Sequence, residues 1–455
     1  MELVDSSESS PGAVSRVSTD TGSPPTIGTW TTELDAATLL DLSVDDDGFG
    51  VSSASLSARR EQYVMVTGGL GFIGSHTSVE LLKAGYNVIV VDDLSNSFRS
   101  VLDAMLEIAR RHYQEGGRGA HNCPMVEMHQ ISYRDPAAMR SILELHSFPS
   151  QTGEVVRSNI VGVIHLAAYK AVEESIRQPL RYYQNNVNGL VDLMGLLDEF
   201  GVKTFIFSSS AAVYGSLSDR GRPLREENCL HQYELAREPR DTTRRLPQSG
   251  CTDITNPYGR TKYFGEAILS DLVTSDPSWN IVVLRYFNPV GCDDSGLLAE
   301  NPRGMPSNLV PVVTQAMTGE RPDLKIYGGD WNTSDGTAIR DFIHVSDLAR
   351  GHTAALVACR NGHVEGGGYR TYNLGAGAGH SVLDVVKAME TVSGRAIPRE
   401  VVGRRSGDIA SSVAAVGRAR HELGWETNKT LLDACHSVCS RLNLLRRRDF
   451  PAAQV

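Results

Sequence analysis

The sequence predicts an α/β fold, a doubly wound parallel sheet followed by a smaller mixed α/β domain. Three observations support this. From Tyr63 onward, short apolar runs alternate with amphipathic helical patterns, which is typical of a parallel sheet covered on both faces. A glycine-rich turn follows the first run, and an acidic residue ends the second. After about residue 301 the alternation gives way to short segments broken by Pro and Gly, which indicates a smaller domain.

Residues 1–58 are rich in Ser, Thr, Asp and Gly, and their only aromatic residues are Trp30 and Phe49. Such a segment cannot bury enough apolar surface to offset its ordering entropy, so it is predicted to be a disordered extension. It lacks the basic start and apolar core of a signal peptide. Because no apolar run approaches the roughly 18 residues that span a bilayer, we expect a cytoplasmic protein without membrane association.

The composition excludes several classes of function. A formal net charge of -10 argues against a nucleic-acid-binding surface. The seven cysteines form no C-x-x-C pair, and the histidines show no metal-ligand spacing, so no metal site is predicted. Cys435 and Cys439 lie one helical turn apart, and we interpret them as small buried apolar side chains rather than as a redox pair.

Five strands are predicted for the sheet: YVMVTGG from Tyr63, NVIVVDD, and the segments 160–168, 203–210 and 280–291. A helix is predicted before the fourth strand, because apolar residues recur at helical spacing at Val187, Leu190, Val191, Met194 and Leu197. Two polar segments rich in Gly, Pro and charge, 111–124 and 217–255, are predicted to be surface excursions.

The turn TGGLGFIGSH predicts a dinucleotide site. Gly68, Gly71 and Gly74 stand between a strand and a helix, where glycine lets the backbone approach a pyrophosphate closely. The free N–H groups of the helix start favour the phosphates. Asp92 ends the second strand, 92 − 74 = 18 residues later, where it can accept both ribose hydroxyls of NAD and would repel the phosphate of NADP. NAD is therefore the predicted cofactor of a Rossmann domain.

A catalytic triad is predicted from Ser210, Tyr258 and Lys262. Tyr258 and Lys262 are four residues apart in NPYGRTK and share one face of a predicted helix. A free phenol is a poor base at neutral pH, but a neighbouring ammonium and a positive nicotinamide would lower its pKa. Ser210 ends a core strand at the carboxyl edge of the sheet, where ligands bind in such folds, and can share the proton of a substrate alcohol.

These residues resemble the extended short-chain dehydrogenase/reductase superfamily and, within it, the UDP-glucose 4-epimerases. The similarity extends from about Tyr63 to Gly424. Beyond the glycine turn it includes DDLSNS, KAVEES, YYQNNVNG, FSSSAAVYG, NPYGRTK, LRYFNPVG, DGTAIRDFIHVSDLA, YNLGAG and RRSGD. RYFNPVG and the segment around RDFIHVSDLA are far more specific to this family than the glycine turn.

The resemblance implies reversible inversion at sugar C4 of UDP-glucose and UDP-galactose through a 4-keto intermediate, as in galactose metabolism. Tyr258 would take the proton of the 4-hydroxyl, with help from Ser210 and Lys262, while hydride passes to a tightly bound NAD⁺ and returns to the other face. Further cofactor contacts implied by the resemblance are Phe72, Ile73, Asn96, Gln130, Ile131, Lys170, Asn185, Tyr286 and Phe287.

The resemblance also implies two domains and a UDP-hexose site. The NAD-binding domain would comprise 61–290 with 341–378 returning to it, and the UDP-sugar domain 291–340 and 379–445. The implied substrate contacts are Asn288 and Asn308 on the diphosphate-sugar, Arg340, Arg405 and Asp408 on the diphosphate and uridine ribose, Tyr327 on uracil, and Ser412 beside the sugar. The sequence leaves open whether the chain is a monomer or forms a homodimer.

Three positions depart from the family pattern. Gln130 stands where an Asp usually contacts adenine, and its amide oxygen can still accept a hydrogen bond. Glu173 replaces a Gly in KAVEES, and a carboxylate there is expected to disturb NAD binding or the loop. Ser412 replaces a larger gatekeeping side chain, so N-acetylated UDP-hexosamines are expected to be accepted as well.

Other functions stay open at this point. A sugar-nucleotide 4,6-dehydratase needs an acidic pair after the catalytic hydroxyl, whereas Ser210 is followed by Ala211 and Ala212. A UDP-uronate or N-acetylhexosamine epimerase differs only in pocket contacts. A non-catalytic protein that binds NAD and a UDP-sugar is a third alternative, although such proteins usually lose the Tyr or the Lys.

Overall fold

The computed structural model describes residues 62–149, 156–235, 253–362, 364, 368–405 and 407–445. The predicted extension 1–58 and residues 236–252 of the predicted insertion lie outside this part. The strands are β1 (Tyr63–Thr67), β2 (Asn87–Val91), β3 (Val126–His129), β4 (Ser147–Pro149), β5 (Val156–Ser158), β6 (Ile160–His165), β7 (Thr204–Ser210), β8 (Asn280–Tyr286), β9 (Asn288–Val290), β10 (Leu324–Tyr327), β11 (Ile339–His344), β12 (Tyr369–Leu374), β13 (Gly379–Ser381), β14 (Arg399–Val402) and β15 (Ser411–Ser412).

The helices alternate with these strands. They are α1 (Phe72–Lys83), α2 (Ser100–Glu115), α3 (Pro136–Leu145), α4 (Val172–Arg177), α5 (Pro179–Tyr183), α6 (Gly189–Glu199), α7 (Gln232–Leu235), α8 (Pro257–Ser275), α9 (Leu309–Thr318), α10 (Val345–Arg360), α11 (Val382–Ser393), α12 (Gly417–Leu423) and α13 (Leu431–Arg441). A π-helix spans Gln184–Asn188, and 3₁₀ helices span Ala120–Asn122, Ala211–Arg220 and Glu226–Asn228.

The main sheet has seven strands in the order β12-β8-β7-β6-β1-β2-β3, and every neighbouring pair is parallel. This confirms the predicted fold class. The five predicted strands are present, and β3 and β12 complete the sheet. The predicted strand 280–291 divides after Tyr286, and β9 pairs instead with β11 in a second sheet.

Helices cover both faces of the main sheet, because its strands alternate apolar side chains between the two sides. Val64 and Val66 pack with α1, α2 and α10 in one core, whereas Tyr63 and Met65 pack with α3, α6 and α8 in the other. The carboxyl ends of all seven strands meet at one edge, which is where this fold places its ligand site.

A smaller sheet and three helices pack around a separate core. Strands β9, β13 and β15 all pair with β11, and β10 pairs with β14. Capping boxes at Ser381 and Thr430 fix the starts of α11 and α13. Cys435 and Cys439 are buried in this core with apolar neighbours.

The two predicted polar excursions differ. Helix α2 extends into the first of them as far as Glu115, and the segment lies mostly at the surface as predicted. In the second, Leu224, Cys229 and Leu230 are buried, and so are the carboxylates of Glu226 and Glu234. The described part of that insertion is therefore partly internal, because two of its carboxylates find buried partners.

Across the described residues, every helix is too short or too polar to cross a membrane.

Candidate active site

The glycine turn forms a cradle between β1 and α1. Gly68 has a φ of 69°, and a Cβ on Gly74 would lie 2.1 Å from the carbonyl oxygen of Gly68. Helix α1 starts after Gly71, and no side chain caps its first amides. A close-packed backbone with unsatisfied N–H groups at a helix start fits a pyrophosphate. The residues present therefore fit the predicted dinucleotide.

Asp92 lies beside this cradle at the end of β2, and only 8 % of it is exposed. The backbone N–H of Leu70, in the glycine turn, donates to Oδ2 at 3.0 Å. The N–H of Leu94 and the hydroxyl of Ser97 donate to Oδ1 at 2.9 and 2.7 Å. A carboxylate oxygen has two lone pairs, so Oδ2 keeps a free position for a ribose hydroxyl. The three donors hold the carboxylate in one orientation.

Ser210, Tyr258 and Lys262 meet at the carboxyl end of β7. Asn256 caps α8 by accepting the N–H of Gly259 at 2.8 Å, and this places Tyr258 in the first turn. The hydroxyl of Ser210 lies near the phenol of Tyr258 and favours its ionised form. The Nζ of Lys262 donates to the carbonyl of Ser208 at 2.5 Å. The structure thus brings together all three predicted catalytic residues.

Burial has the largest effect on the pKa values of Tyr258 and Lys262. Burial raises the pKa of Tyr258, and the hydroxyl of Ser210 only opposes that rise. Burial also lowers the pKa of Lys262 to about 7, against the influence of Glu266. In the protein alone, desolvation raises the Tyr258 pKa. The predicted lowering depends on the charge of the nicotinamide as well as on the ammonium, and it stays a prediction.

The other predicted cofactor contacts are distributed along the same edge. Asn185 is buried in the π-helix, where its carbonyl accepts the hydroxyl of Tyr133. Its neighbour Asn186, which the sequence analysis missed, donates to the carbonyl of Tyr169 at 2.9 Å and to Thr261 at 3.0 Å. A π-helix has no simple sequence signature, although it often marks a functional segment.

Several predicted contacts are occupied by protein partners. The oxygen Oδ1 of Asn96 accepts the backbone N–H of Arg303 at 3.1 Å. Tyr286 shares a hydrogen bond with His352 of α10, and Phe287 packs in a small core beside Tyr214. Both aromatic side chains are therefore fixed by the protein itself.

Gln130 and Ile131 follow β3 directly. Gln130 is exposed, and Ile131 packs partly against the core that contains Met65. Glu173 is 64 % exposed and forms an ion pair with Arg177 at 3.5 Å. The first turn of α4 thus exposes this carboxylate, and its effect on NAD binding or on the loop stays a prediction.

One carboxylate connects the two predicted sets of contacts. Glu300 lies 3.3 Å from the Nζ of Lys170, a predicted cofactor residue. The same oxygen accepts the side-chain amide of Asn308, a predicted substrate residue, at 2.5 Å. Sequence reasoning missed Glu300, since 130 residues separate it from Lys170.

The remaining predicted substrate residues lie on the smaller sheet and its loops. The guanidinium of Arg405 lies 4.8 Å from the ring centre of Tyr327 and donates to both oxygens of Asp408 at 3.2 and 3.1 Å. Arg340 and Ser412 are neighbours in the register of β11 and β15. Asn288 lies opposite Phe342 where β9 pairs with β11. These residues therefore come from two places, the sheet around β11 and the strand β10 with its neighbouring loop.

Comparison with known proteins identifies the class. The model of the NAD dependent epimerase/dehydratase family matches residues 64–375, and the chain belongs to this family.

Several similar proteins are UDP-glucose 4-epimerases. That of Dictyostelium discoideum is 44 % identical over 375 residues, which is 82 % of this chain and 94 % of the relative. That of Mus musculus is 43 % identical over 375 residues, 82 % of this chain and 95 % of the relative. The crystal structure of UDP-glucose 4-epimerase from Bifidobacterium longum in complex with NAD⁺ and UDP has a TM-score of 0.69 at 40 % identity, covering 84 % of this chain and 98 % of its own. The predicted family is confirmed.

Proposed function

We propose that this protein is an NAD-dependent enzyme that interconverts UDP-glucose and UDP-galactose by inversion at sugar C4. The observation that carries the proposal is the meeting of Ser210 and Tyr258, with Lys262 one helical turn further on, at the same sheet edge as the glycine cradle. The strand order places β7 two positions from β1, so a dinucleotide bound at Gly68 and Gly74 would extend toward the triad. The kinship with UDP-glucose 4-epimerases supplies the sugar.

The chain's own residues move the proton. Tyr258 accepts the proton of the sugar 4-hydroxyl, and the neighbouring hydroxyl of Ser210 shares it. Lys262 follows Tyr258 by one helical turn and is anchored on the carbonyl of Ser208. Bound NAD⁺ would supply the hydride acceptor at C4 and a positive charge that favours the phenolate. Because burial raises the Tyr258 pKa, that charge is needed for a base at neutral pH.

The UDP moiety is recognised from the smaller sheet. Arg405 offers a forked cation that suits a diphosphate, and the exposed ring of Tyr327 offers a stacking surface for uracil. Arg340 adds a second positive charge from β11. Two cations near a phosphate pair favour a nucleoside diphosphate over a simple sugar.

A second substrate class is favoured by Ser412. Its small side chain is buried beside Arg340, where a large residue would restrict the sugar. We therefore expect turnover of UDP-N-acetylglucosamine, and loss of that activity but not of UDP-glucose turnover in Ser412→Tyr. Absence of N-acetylhexosamine turnover in an enzyme that is active on UDP-glucose contradicts this part.

The test of the proposed function is conversion of UDP-galactose to UDP-glucose, with and without added NAD⁺. Tyr258→Phe is expected to lower kcat by at least about 100-fold, since it removes the base. Tyr113→Phe is the matched control, because that phenol is buried on α2 and donates only to the carbonyl of Leu82 at 3.0 Å. Bound NAD without turnover of any UDP-sugar, in folded protein, would favour the non-catalytic alternative.

We further propose a cytoplasmic homodimer. Leu180, Val191 and Phe264 are exposed apolar side chains on the neighbouring helices α5, α6 and α8. Exposed large apolar side chains on one part of a surface are typical of a protein–protein interface. Sedimentation equilibrium should give twice the chain mass, and Leu180→Asp should reduce it to one chain. Cell fractionation tests the location.

A further inference from the structure

The described part of the insertion, residues 217–235, is an arm that covers the open edge of the main sheet. Strand β12 is the last strand, so its outer N–H groups have no neighbouring strand. The carboxylate of Glu226 accepts the N–H of Asn373 at 2.8 Å, and that of Glu234 accepts the N–H of Thr371 at 3.2 Å. Two carboxylates thus take the place of a strand and fix the arm.

From this anchored position the arm inserts His231 behind the catalytic helix. The imidazole is buried, and its Nε2 lies 2.8 Å from Oε2 of Glu266 on α8. It also packs against the ring of Tyr263, with 5.0 Å between ring centres. Glu266 follows Lys262 by one helical turn, so the arm contacts the same face of α8 that carries the catalytic lysine.

Glu266 is fully buried, and both of its oxygens are bonded. Oε1 accepts from the hydroxyl of Ser209 and from Nε of Arg285, the latter at 3.1 Å. Oε2 accepts from Arg285 at 2.7 Å and lies against His231. Ser209 precedes the catalytic Ser210 on β7. The carboxylate therefore joins the arm, the catalytic helix and the catalytic strand.

A metal centre is the competing interpretation of this cluster. Cys229, His231 and Glu266 offer donor atoms within 4.8 Å of one another, all buried. However, Arg285 binds both oxygens of Glu266 and donates to the carbonyl of Cys229 at 2.7 Å. A divalent cation would lie beside this desolvated guanidinium, and such repulsion is costly in a dry interior. The donors already satisfy one another without an ion.

We propose that His231 is a positioning residue for the catalytic Lys262, acting through Glu266. With Arg285 it compensates the Glu266 carboxylate, so that Lys262 stays bound to the carbonyl of Ser208 and is not drawn toward Glu266. The assignment rests on the proposed function, because that function gives Lys262 its role.

The charges around both groups support this direction. Lys262 is faced by Glu266 of its own helix and by His165 of β6. Besides Lys262, Glu266 is faced by Arg285, Tyr369, Cys229 and His231. Burial opposes protonation of His231, yet hydrogen bonds to Cys229 and Glu266 raise its pKa to about 9. Loss of this cation leaves the negative charge of Glu266 less compensated, and this charge then raises the pKa of Lys262.

The test compares two variants. His231→Ala removes both the hydrogen bond to Glu266 and the positive charge, whereas His231→Gln keeps a hydrogen-bond donor but not the charge. His146→Gln is the matched control, since His146 is a buried histidine 3.0 Å from Glu127 and remote from α8. The pKa of Lys262 is measured in the holoenzyme by NMR of Cε-¹³C lysine, with its signal among the seven lysines assigned by Lys262→Arg. Activity with UDP-galactose is measured in parallel.

We expect both His231 variants to raise the Lys262 pKa by about one unit and to extend activity to higher pH. The alanine variant should lose about 10-fold in kcat with KM unchanged, and glutamine should restore most of kcat at pH 7. His146→Gln should change neither quantity. If the alanine variant does not fold, the glutamine variant decides.

An unchanged Lys262 pKa in folded His231→Gln overturns the assignment. Stoichiometric zinc in the wild-type protein, lost in His231→Ala, overturns it as well in favour of a metal centre. Wild-type protein without turnover contradicts the proposed function instead, and the NMR titration still tests the positioning role.

Discussion

The predicted cofactor side and the predicted UDP side of this candidate site are built in different ways. On the cofactor side, Asp92 and Lys262 are 8 % and 2 % exposed, and regular strands and helices fix every catalytic group. On the UDP side, Tyr327 is 42 % exposed, and Arg405 is paired with Asp408 at the surface. The reaction centre is thus organised before substrate binds, which is what catalysis by fixed dipoles and bases needs. The predicted nucleotide contacts, Tyr327 and Arg405, are instead exposed side chains that a bound ligand would have to order.

The largest effect expected is on the cofactor side, from Gly74→Ala. The new Cβ would lie 2.1 Å from the carbonyl oxygen of Gly68, so the turn or the helix must move. We expect loss of retained NAD, loss of turnover, and a free energy of unfolding lower by about 3 kcal/mol. Release of NAD on denaturation, measured by chromatography, and urea unfolding check this.

Gly195→Ala is its control, because a Cβ there has no neighbour within 4 Å and lies on the exposed side of α6. Alanine should raise the free energy of unfolding by about 0.5–1 kcal/mol and leave NAD in place. Equal NAD retention in both variants would contradict the role of the cradle.

Next in size is Asp92→Asn, which keeps the shape of the side chain and removes its charge. The amide group would face the donors of Leu70 and Ser97, and the charge-assisted bonds to ribose would be lost. We expect NAD affinity to fall by about 10- to 100-fold and discrimination against NADP to weaken. Titration calorimetry on protein freed of cofactor measures both.

Asp93→Asn tests whether the effect belongs to Asp92. Asp93 is exposed and accepts only the N–H of Ser95, at 2.9 Å, among the bonds observed. Its variant should bind NAD as the wild type does. A similar loss in both variants would assign the effect to the charge of the loop as a whole.

The same contrast explains what could be predicted from the sequence. The glycine cradle, Asp92 and the Tyr258–Lys262 pair depend on spacing within one strand–turn–helix unit or one helix turn. Their geometry follows from local rules, and the structure brings them together as expected. The alternation of apolar runs and helical patterns predicted the fold class, and the resemblance in the motifs predicted the family.

What could not be predicted depends on distant partners. Glu226 and Glu234 looked like surface charges, and only the open edge of β12 explains their burial. The contacts of Glu300 with Lys170, and of His231 with Glu266, join segments far apart in sequence. The burial of Tyr258, which raises the pKa of its phenol, could not be predicted either, because a motif shows the neighbouring charge but not the desolvation.

On the UDP side, Arg405→Gln should have a smaller effect than the changes in the cradle. It removes the fork that now holds Asp408, and with it one charge-assisted contact to a diphosphate. We expect KM for UDP-galactose to rise about 10-fold with kcat nearly unchanged. Arg404→Gln is the control, since Arg404 stacks on Trp331 at 4.0 Å and pairs with Asp330 at 2.8 Å. Equal KM values for the two variants would remove Arg405 from the nucleotide site.

The smallest effect expected is a pH dependence of stability that arises on the buried side. The pKa of His231 is about 9 in the folded protein, against an ordinary value of 6.5. A raised folded pKa means that the stabilisation is complete below about pH 6.5 and is lost as the pH rises through about 9. Urea unfolding should therefore show His231→Gln less stable than the wild type at pH 6, with a difference that narrows above pH 9. The lowered pKa of Lys262, about 7, acts in the opposite direction. The rise of about one unit expected in His231→Gln offsets part of the lost stabilisation, so the observed difference is a lower bound on the contribution of the histidine. A difference that stays constant across this range would mean that His231 contributes packing and a hydrogen bond but no charge. The contrast between a buried, preorganised cofactor side and an exposed UDP side would then depend on the charges of Asp92 and Arg285 alone.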